Sequence, residues 1–304
     1  MRNDSVGLNA ACWALLMAVL WGGNSVAIKI GLTAMPPVSM AALRFFFGIF
    51  TIWLGCIFVG VSIRVPFSAW RGLFGLGLLF TTQIWLLNAG TNYTTASRSG
   101  VLINIFPFFV AIFSHLLVPG DRISAVKAIG LVCSFLGISL LFIESIRLED
   151  TQYLLGDAMV TLSGLLLGLR QVVLKLLVQG LHPLQVLFWQ AGIGLPLFVL
   201  WSILFENEVI EQMNWTVWLA VLYQGVVVAG FCFVLMVLLL RHHSATRLGV
   251  FSFVTPIVGI LLSAWILDEV ISFWLWISVL LVTIGIVVAN RAENVLEKNR
   301  STGE

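Results

Sequence analysis

The residues that could do chemistry in this chain are polar side chains set singly into long apolar runs, and their types point to noncovalent binding. Trp21, Asn24 and Ser25 fall together early; Thr81, Trp85 and Asn88 recur at steps of three and four with Gln83 beside them, and Asn104, Phe108, Ala111 and His115 recur in the same way. Residues three or four apart share one face of a helix, so these sets read as mixed polar and aromatic faces. Gln171 belongs to a longer stripe of Asp157, Thr161, Gly164, Gly168, Gln171 and Lys175, and Gln224 stands in a later run. Such a lining suits a small amphipathic solute, held by a few amides and hydroxyls between apolar walls. The same side chains can instead bond neighbouring helices, and Gly164 with Gly168 makes a GxxxG pattern suited to close packing. Spacing does not separate the two.

Catalysis is poorly served by what the sequence holds. It has no HExxH, no G-x-S-x-G and no acidic pair suited to metal-assisted transfer. No lysine closes a Gly-rich phosphate loop, so the chain is not expected to use ATP or any other cofactor. The acidic residues lie in loops or near the ends of apolar runs, which leaves no mid-membrane carboxylate to relay a proton or pair a cationic solute. Cys12, Cys56, Cys133 and Cys232 each sit inside an apolar run and read as packing residues, with no metal cage.

Two arginines and two prolines stand out. Arg44 lies about 9 Å inside its run, at 1.5 Å per helical residue, where insertion scales price an arginine at about 2.5 to 3.5 kcal/mol. It needs a partner, either a substrate carboxylate or helix-end carbonyls. Arg170, closer to a run end, is placed to snorkel to the surface. Pro107 and Pro256 sit mid-run, where each frees the carbonyl four residues earlier, Ile103 and Ser252. They read as hinges of a gate, or as fixed bends.

These residues need membrane-spanning helices to position them. The chain has 304 residues, 60% hydrophobic and 10% charged, with a mean hydropathy of +1.05. That composition excludes a soluble globular domain, and the net charge of +2 gives no reason to expect nucleic acid. Apolar runs of about 20 residues begin near Asn9, Val38, Ala69, Thr95, Ser124, Leu154, Leu184, Asn214, Ala245 and Ile271. They end near Lys29, Gly60, Ala89, Val118, Ile143, Lys175, Phe205, Leu240, Leu267 and Asn290, which predicts an all-α membrane protein of ten transmembrane helices. The first run is too long for a signal peptide and is expected to be retained. Basic residues collect at one set of connections, including Arg2, Arg64, Arg71, Arg122, Lys127, Arg241, Arg247 and Arg291, against Lys29, Arg98 and Arg147 at the other. The positive-inside rule then puts both termini in the cytoplasm of a multi-pass protein of the plasma (inner) membrane.

The sequence also repeats itself. Shifted by 149, Ala96, Arg98, Gly100, Val101, Pro107 and Ser114 fall on Ala245, Arg247, Gly249, Val250, Pro256 and Ser263; shifted by 146, Gly22, Lys29, Pro37 and Gly48 fall on Gly168, Lys175, Pro183 and Gly194. Residues 1–148 and 149–304 therefore read as two units of five helices each, and an odd helix number inverts the second unit in the membrane. Inverted repeats underlie alternating access in many secondary transporters.

The stretch Trp21, Gly22, Gly23, Asn24, Ser25 to Lys29, followed by Arg44 and Phe45, resembles the first two helices of EamA-type proteins of the drug/metabolite transporter superfamily. Asn104 to Phe142, with Pro107, Asp121, Lys127, Gly130 and Gly137, resembles the end of an EamA repeat, and a second copy ends at Pro256, Glu269 and Gly285. One departure is Pro119, Gly120 and Asp121 where the second copy has Leu267, Asp268 and Glu269, the form nearer the family pattern. The resemblance implies two EamA repeats around a central cavity, favours export of amino acids or related metabolites, and gives Arg44 a structural rather than a solute-binding role. The leading expectation is a carrier for a small neutral, zwitterionic or weakly anionic metabolite. An intramembrane enzyme of lipid or envelope metabolism, or a scaffold subunit without transport, stands as the alternative.

Overall fold

Proline and glycine set the limits of the longest helices. Pro37 and Pro183 each open a helix, where a missing N–H costs nothing, and Gly60 closes the first of these in the left-handed conformation at φ 76°. There the Val61 amide bonds back to the Cys56 carbonyl at 2.8 Å, a C-terminal motif that needs the glycine. Asn214 and Thr95 cap two further helices through their side chains.

The computed structural model describes residues 8–118, 125–147, 151–206, 211–240, 251 and 254–302, which are α-helical between short connections and contain no strand. The helices are α1 Leu8–Gly22, α2 Asn24–Gly31, α3 Pro37–Val59, α4 Trp70–Tyr93, α5 Ala96–Ile103, α6 Phe106–Leu117 and α7 Ala125–Arg147. They continue with α8 Thr151–Leu177, α9 Pro183–Phe205, α10 Trp215–Leu222, a π-helical stretch Tyr223–Cys232, α11 Phe233–Leu240, α12 Val254–Ile266 and α13 Phe273–Thr302.

Among the described residues seven rods are long and apolar enough to cross a bilayer, and shorter apolar helices, Ala128–Glu144, Val254–Ile266 and Phe273–Val288, fall where the fifth, ninth and tenth spans are expected. The expected start of the ninth span at Ala245, like Arg2, Arg122, Arg241, Arg247 and Ser252, lies outside the described residues. Three spans are not the continuous α-helices that periodicity predicts. The first is interrupted at Gly23 between α1 and α2, the fourth breaks at Asn104 and Ile105 between α5 and α6, and the eighth is π-helical for ten residues.

Helix α3 lies between α9 and the π-helical stretch, α4 packs on α8 and α9, α7 runs along α13, and α1 and α5 meet α12. Glycines permit the closest approaches. A Cβ on Gly90 would stand 2.9 Å from the Gly156 carbonyl oxygen, and one on Gly225 would stand 2.5 Å from that of Arg44. The interior between α3, α4 and α9 is filled by Phe45, Phe80 and Phe198, whose ring centroids lie 4.7 to 5.9 Å apart. Phe46, Phe50, Phe58, Leu204 and Trp265 point outward, the pattern lipid demands of a helical surface.

Hydrogen bonds tie opposite sequence ends of neighbouring helices together, so the bundle has two chemically distinct ends. One collects residues 29–39, 91–98, 144–147, 151–157, 206, 211–217 and 267–269, and is here called the Lys29 end. The other collects 62–64 and 185–189, where Gln185 and Trp189 donate to the carbonyls of Ser62, Ile63 and Arg64.

Candidate functional site

Most of the polar residues singled out in the sequence bond a neighbouring helix or their own. Gln83 donates to the Ser163 hydroxyl at 2.8 Å, joining α4 to α8, and Asn88 donates to the Pro37 carbonyl at 3.0 Å. Gln224, fully buried in the π-helical stretch, donates to the Ala27 carbonyl at 2.9 Å. Thr81 and Asn104 donate to carbonyls one turn back, those of Gly77 and Gly100. Ser25 is buried where α2 meets Gly100 of α5.

The aromatic candidates divide among three places: Trp21 packs near Phe233, Trp85 near Trp201, and Phe108 near Phe109 and Phe135. Asn24 and Gln171 are partly buried. Among the described residues these side chains are thus distributed over several helix contacts. A cavity of about 290 Å³ opens instead at the Lys29 end, lined among others by Lys29, Thr33, Asn92, Asn214 and Leu267, and none of the residues above reaches it.

Two expectations are corrected by the packing, and the glycines of the α8 stripe take the packing role left open for them, Gly164 lying under Ile105 and Gly168 under Phe109 and Val110. Arg98 is not a loop residue. It is buried in the first turn of α5, donating to Glu144 at 2.6 Å, to Asp157 through Nε at 3.2 Å, and to the Leu141 carbonyl at 2.7 Å. Thr94 completes the set by donating to Asp157 at 2.7 Å. A buried arginine satisfied by two carboxylates and a carbonyl ties α5, α7 and α8 at one depth. Arg170 does not snorkel either, since it is only 6% exposed and its guanidinium lies over the Phe80 ring at 5.2 Å.

Arg44 and Arg170 are the unusual pair. Arg44 is 4% exposed, its guanidinium 4.9 Å from the centre of the Phe45 ring. Nε and Nη1 of both arginines are buried and make no hydrogen bond among the described residues. Phe45 and Phe80 are in edge contact, so the two cations lie on one aromatic cluster. The helix-end carbonyls foreseen as a partner for Arg44 are not bonded to either of these nitrogens.

Pro107 occupies the first turn of α6, just after the break at Asn104 and Ile105, and Pro256 occupies the first turn of α12. The preceding helix ends at Ile103, and the next begins at Phe106, one residue before Pro107. Helix α1 meets α12 closely at this level, a Cβ on Gly22 falling 2.9 Å from the Thr255 carbonyl oxygen.

Residues that spacing did not single out hold the Lys29 end together. Glu206, after α9, accepts from the amides of Val38 and Ser39 at 2.7 and 2.8 Å, closing over the start of α3. Glu269, after α12, accepts from the amides of Ala96 and Ser97 at 2.7 and 2.9 Å, closing over the start of α5. A carboxylate at a helix N-terminus meets free amides and the positive end of the helix dipole. Lys29 does the converse, donating to the carbonyls of Thr91, Asn92 and Thr94 at the end of α4. The visible signal was the placement of both glutamates just past the end of a span.

The sequence profile described as the EamA-like transporter family matches residues 8–143 and 154–291. The chain belongs to that family. Among its relatives is a protein named "Probable amino-acid metabolite efflux pump" from Escherichia coli strain K12, 24% identical over 284 residues, 90% of this chain and 92% of the relative. A protein named "Uncharacterized transporter YoaV" from Bacillus subtilis strain 168 is 24% identical over 274 residues, 89% of this chain and 92% of the relative. A solved structure titled "Crystal structure of protein" shares the fold with a TM-score of 0.68 at 21% identity, covering 96% of this chain and all of the other. Membership in the EamA-like family indicates a multi-pass membrane transporter rather than an enzyme.

Proposed function

We propose that the chain is a secondary transporter that exports small metabolites, amino acids and their relatives among them, by alternating access across the plasma membrane. Ten helices form two inverted five-helix units, residues 1–148 and 149–304, with both termini in the cytoplasm and the Lys29 end outside. Rocking of one unit on the other exposes the solute to one side at a time. The names of two relatives, both amino-acid metabolite efflux pumps, support the solute class and the direction.

One observation carries the mechanism: the two carboxylate clamps, Glu206 over α3 and Glu269 over α5, each join a helix of one unit to a helix of the other at the same end. Each is a group of three hydrogen bonds that water can replace when the ends part. The opposite end is joined by the neutral side chains of Gln185 and Trp189. Such an arrangement suits a gate that opens and recloses. The break at Asn104, with Pro107 after it, and Pro256 let the ends of their helices swing. Trp21, Asn24, Ser25 and Gln171 contact the solute, while Gln83, Asn88 and Gln224 hold the walls.

Purified protein in liposomes should take up radiolabelled amino acids or related metabolites in counterflow. Gln171→Leu should lower the rate by about tenfold, the worth of one buried hydrogen bond to solute, with unchanged monodispersity. Absence of transport across a broad metabolite panel rejects the carrier and favours a scaffold role.

A further inference from the structure

The carrier reading leaves the nature of its solute open, and the two buried arginines speak to it. Arg44 and Arg170 are more than nine-tenths buried, lie over Phe45 and Phe80 respectively, two rings in edge contact, and keep Nε and Nη1 without a hydrogen bond among the described residues. The carboxylates described in this part of the chain are committed elsewhere: Asp157 and Glu144 to Arg98, Glu206 to α3 and Glu269 to α5. Two guanidinium groups at one aromatic cluster are electrostatically unfavourable as a purely structural pair, because each desolvated cation raises the cost of the other. A guanidinium is also the side chain whose planar fork fits a carboxylate with two parallel bonds.

Sequence register supplies an independent observation. The 146-residue shift that superposes Gly22 on Gly168 and Gly48 on Gly194 also puts Asn24 on Arg170 and Arg44 on Gln190. Both amides of this quartet likewise carry a buried side-chain oxygen without a hydrogen bond among the described residues, Oδ1 of Asn24 and Oε1 of Gln190. Four positions related by the internal repeat thus hold unspent polar groups, one arginine and one amide from each half.

We propose that Arg44 and Arg170 are the charged contacts of a binding site for a small organic anion bearing carboxylate groups. Asn24 and Gln190 supply acceptors for hydroxyl or amino groups on the same solute. The proposal rests on the carrier reading for its biological use and narrows its solute to acids. It reverses the purely structural role that the family resemblance implied for Arg44.

The test is thermal stabilisation of the purified wild-type protein by a charge series of one skeleton: succinate and adipate, the monoanions butyrate and hexanoate, the neutral succinamide and adipamide, and zwitterionic glutamine, each at matched ionic strength. Dicarboxylates should stabilise at the lowest concentration, monocarboxylates at higher ones, and diamides not at all. Arg170→Gln should weaken the dicarboxylate response by about tenfold or more, the worth of a charged hydrogen bond, and Arg170→Lys by less, since it keeps the charge but not the fork. Equal response to neutral and anionic probes, or to none of them, overturns the site, and this arm needs no variant to fold. Uptake in liposomes separates the two readings. Anion binding without any transport rejects the carrier and keeps the site, whereas uptake of neutral amino acids without anion binding rejects the site and keeps the carrier.

Discussion

Arg98 and Arg44 show how differently one residue type can be used a few helices apart. Arg98 is surrounded by Asp157, Glu144, the Leu141 carbonyl and, at 5.9 Å, the Tyr153 ring, so its burial is compensated at every side. Removing a partner from such a buried set costs more than the pair contributes, because a charge is left behind. Asp157→Asn should therefore destabilise the detergent-solubilised protein by about 3 kcal/mol. Glu144→Gln should cost about 1 to 2 kcal/mol, since the Asp157 contacts survive. Denaturant or thermal unfolding compares the two, and an Asp157→Asn protein as stable as wild type would remove the cluster from the stability argument. At the turn before Glu269, Asp268 adopts φ 52°, a left-handed conformation that glycine takes most easily. The corresponding position in the first half is Gly120. The departure noted in the sequence is thus an exchange between two residue types that tolerate this conformation, and it lets Glu269 turn back onto α5.

At the level of elements, glycine placement decides which helices can touch. Gly90 and Gly156 face one another across α4 and α8, and a Cβ on Gly156 would stand 2.8 Å from the Gly90 carbonyl oxygen and from the Thr94 amide nitrogen. Gly75, on the same α4, has nothing within 4 Å of such a Cβ. Gly156→Leu should therefore force α8 away and destabilise by about 3 kcal/mol or more, the scale of a severe overpacking, whereas Gly75→Ala should be neutral or stabilise by up to about 1 kcal/mol. Paired unfolding curves check this, and equal effects at both positions would contradict the packing. The apolar runs, the proline starts at Pro37 and Pro183 and the Asn214 cap were legible in the sequence, because each depends on neighbours within one turn. The break at Asn104 and the π-helical stretch around Gln224 were not. A helix gives up its regular ladder only when packing or bonding elsewhere compensates, as when Gln224 reaches the Ala27 carbonyl.

The whole molecule is organised by its two ends. The Lys29 end is held by carboxylates on helix starts, by Lys29 on the end of α4, and by a 2.6 Å contact between the hydroxyls of Ser39 and Ser202. If the proposed rocking parts this end, a covalent tie across it should stop the cycle. With Cys12, Cys56, Cys133 and Cys232 replaced by alanine, a Ser39→Cys, Ser202→Cys protein should lose most transport on oxidation and regain it on reduction. Full transport while cross-linked would exclude movement between α3 and α9. By itself the sequence determined the solvent, the number and rough limits of the apolar runs, the internal repeat and, through its residue patterns, the family. Those properties are sums over consecutive residues in lipid, where backbone bonds must close locally. Only the tertiary structure decided which polar groups are spent on neighbours, as the amide nitrogens of Gln83 and Asn88 and the guanidinium of Arg98 are, and which guanidinium nitrogens of Arg44 and Arg170 are left over. That outcome depends on how each helix is rotated and slid against its neighbours, and a shift of one residue along α8 would exchange a paired carboxylate for a glycine seam.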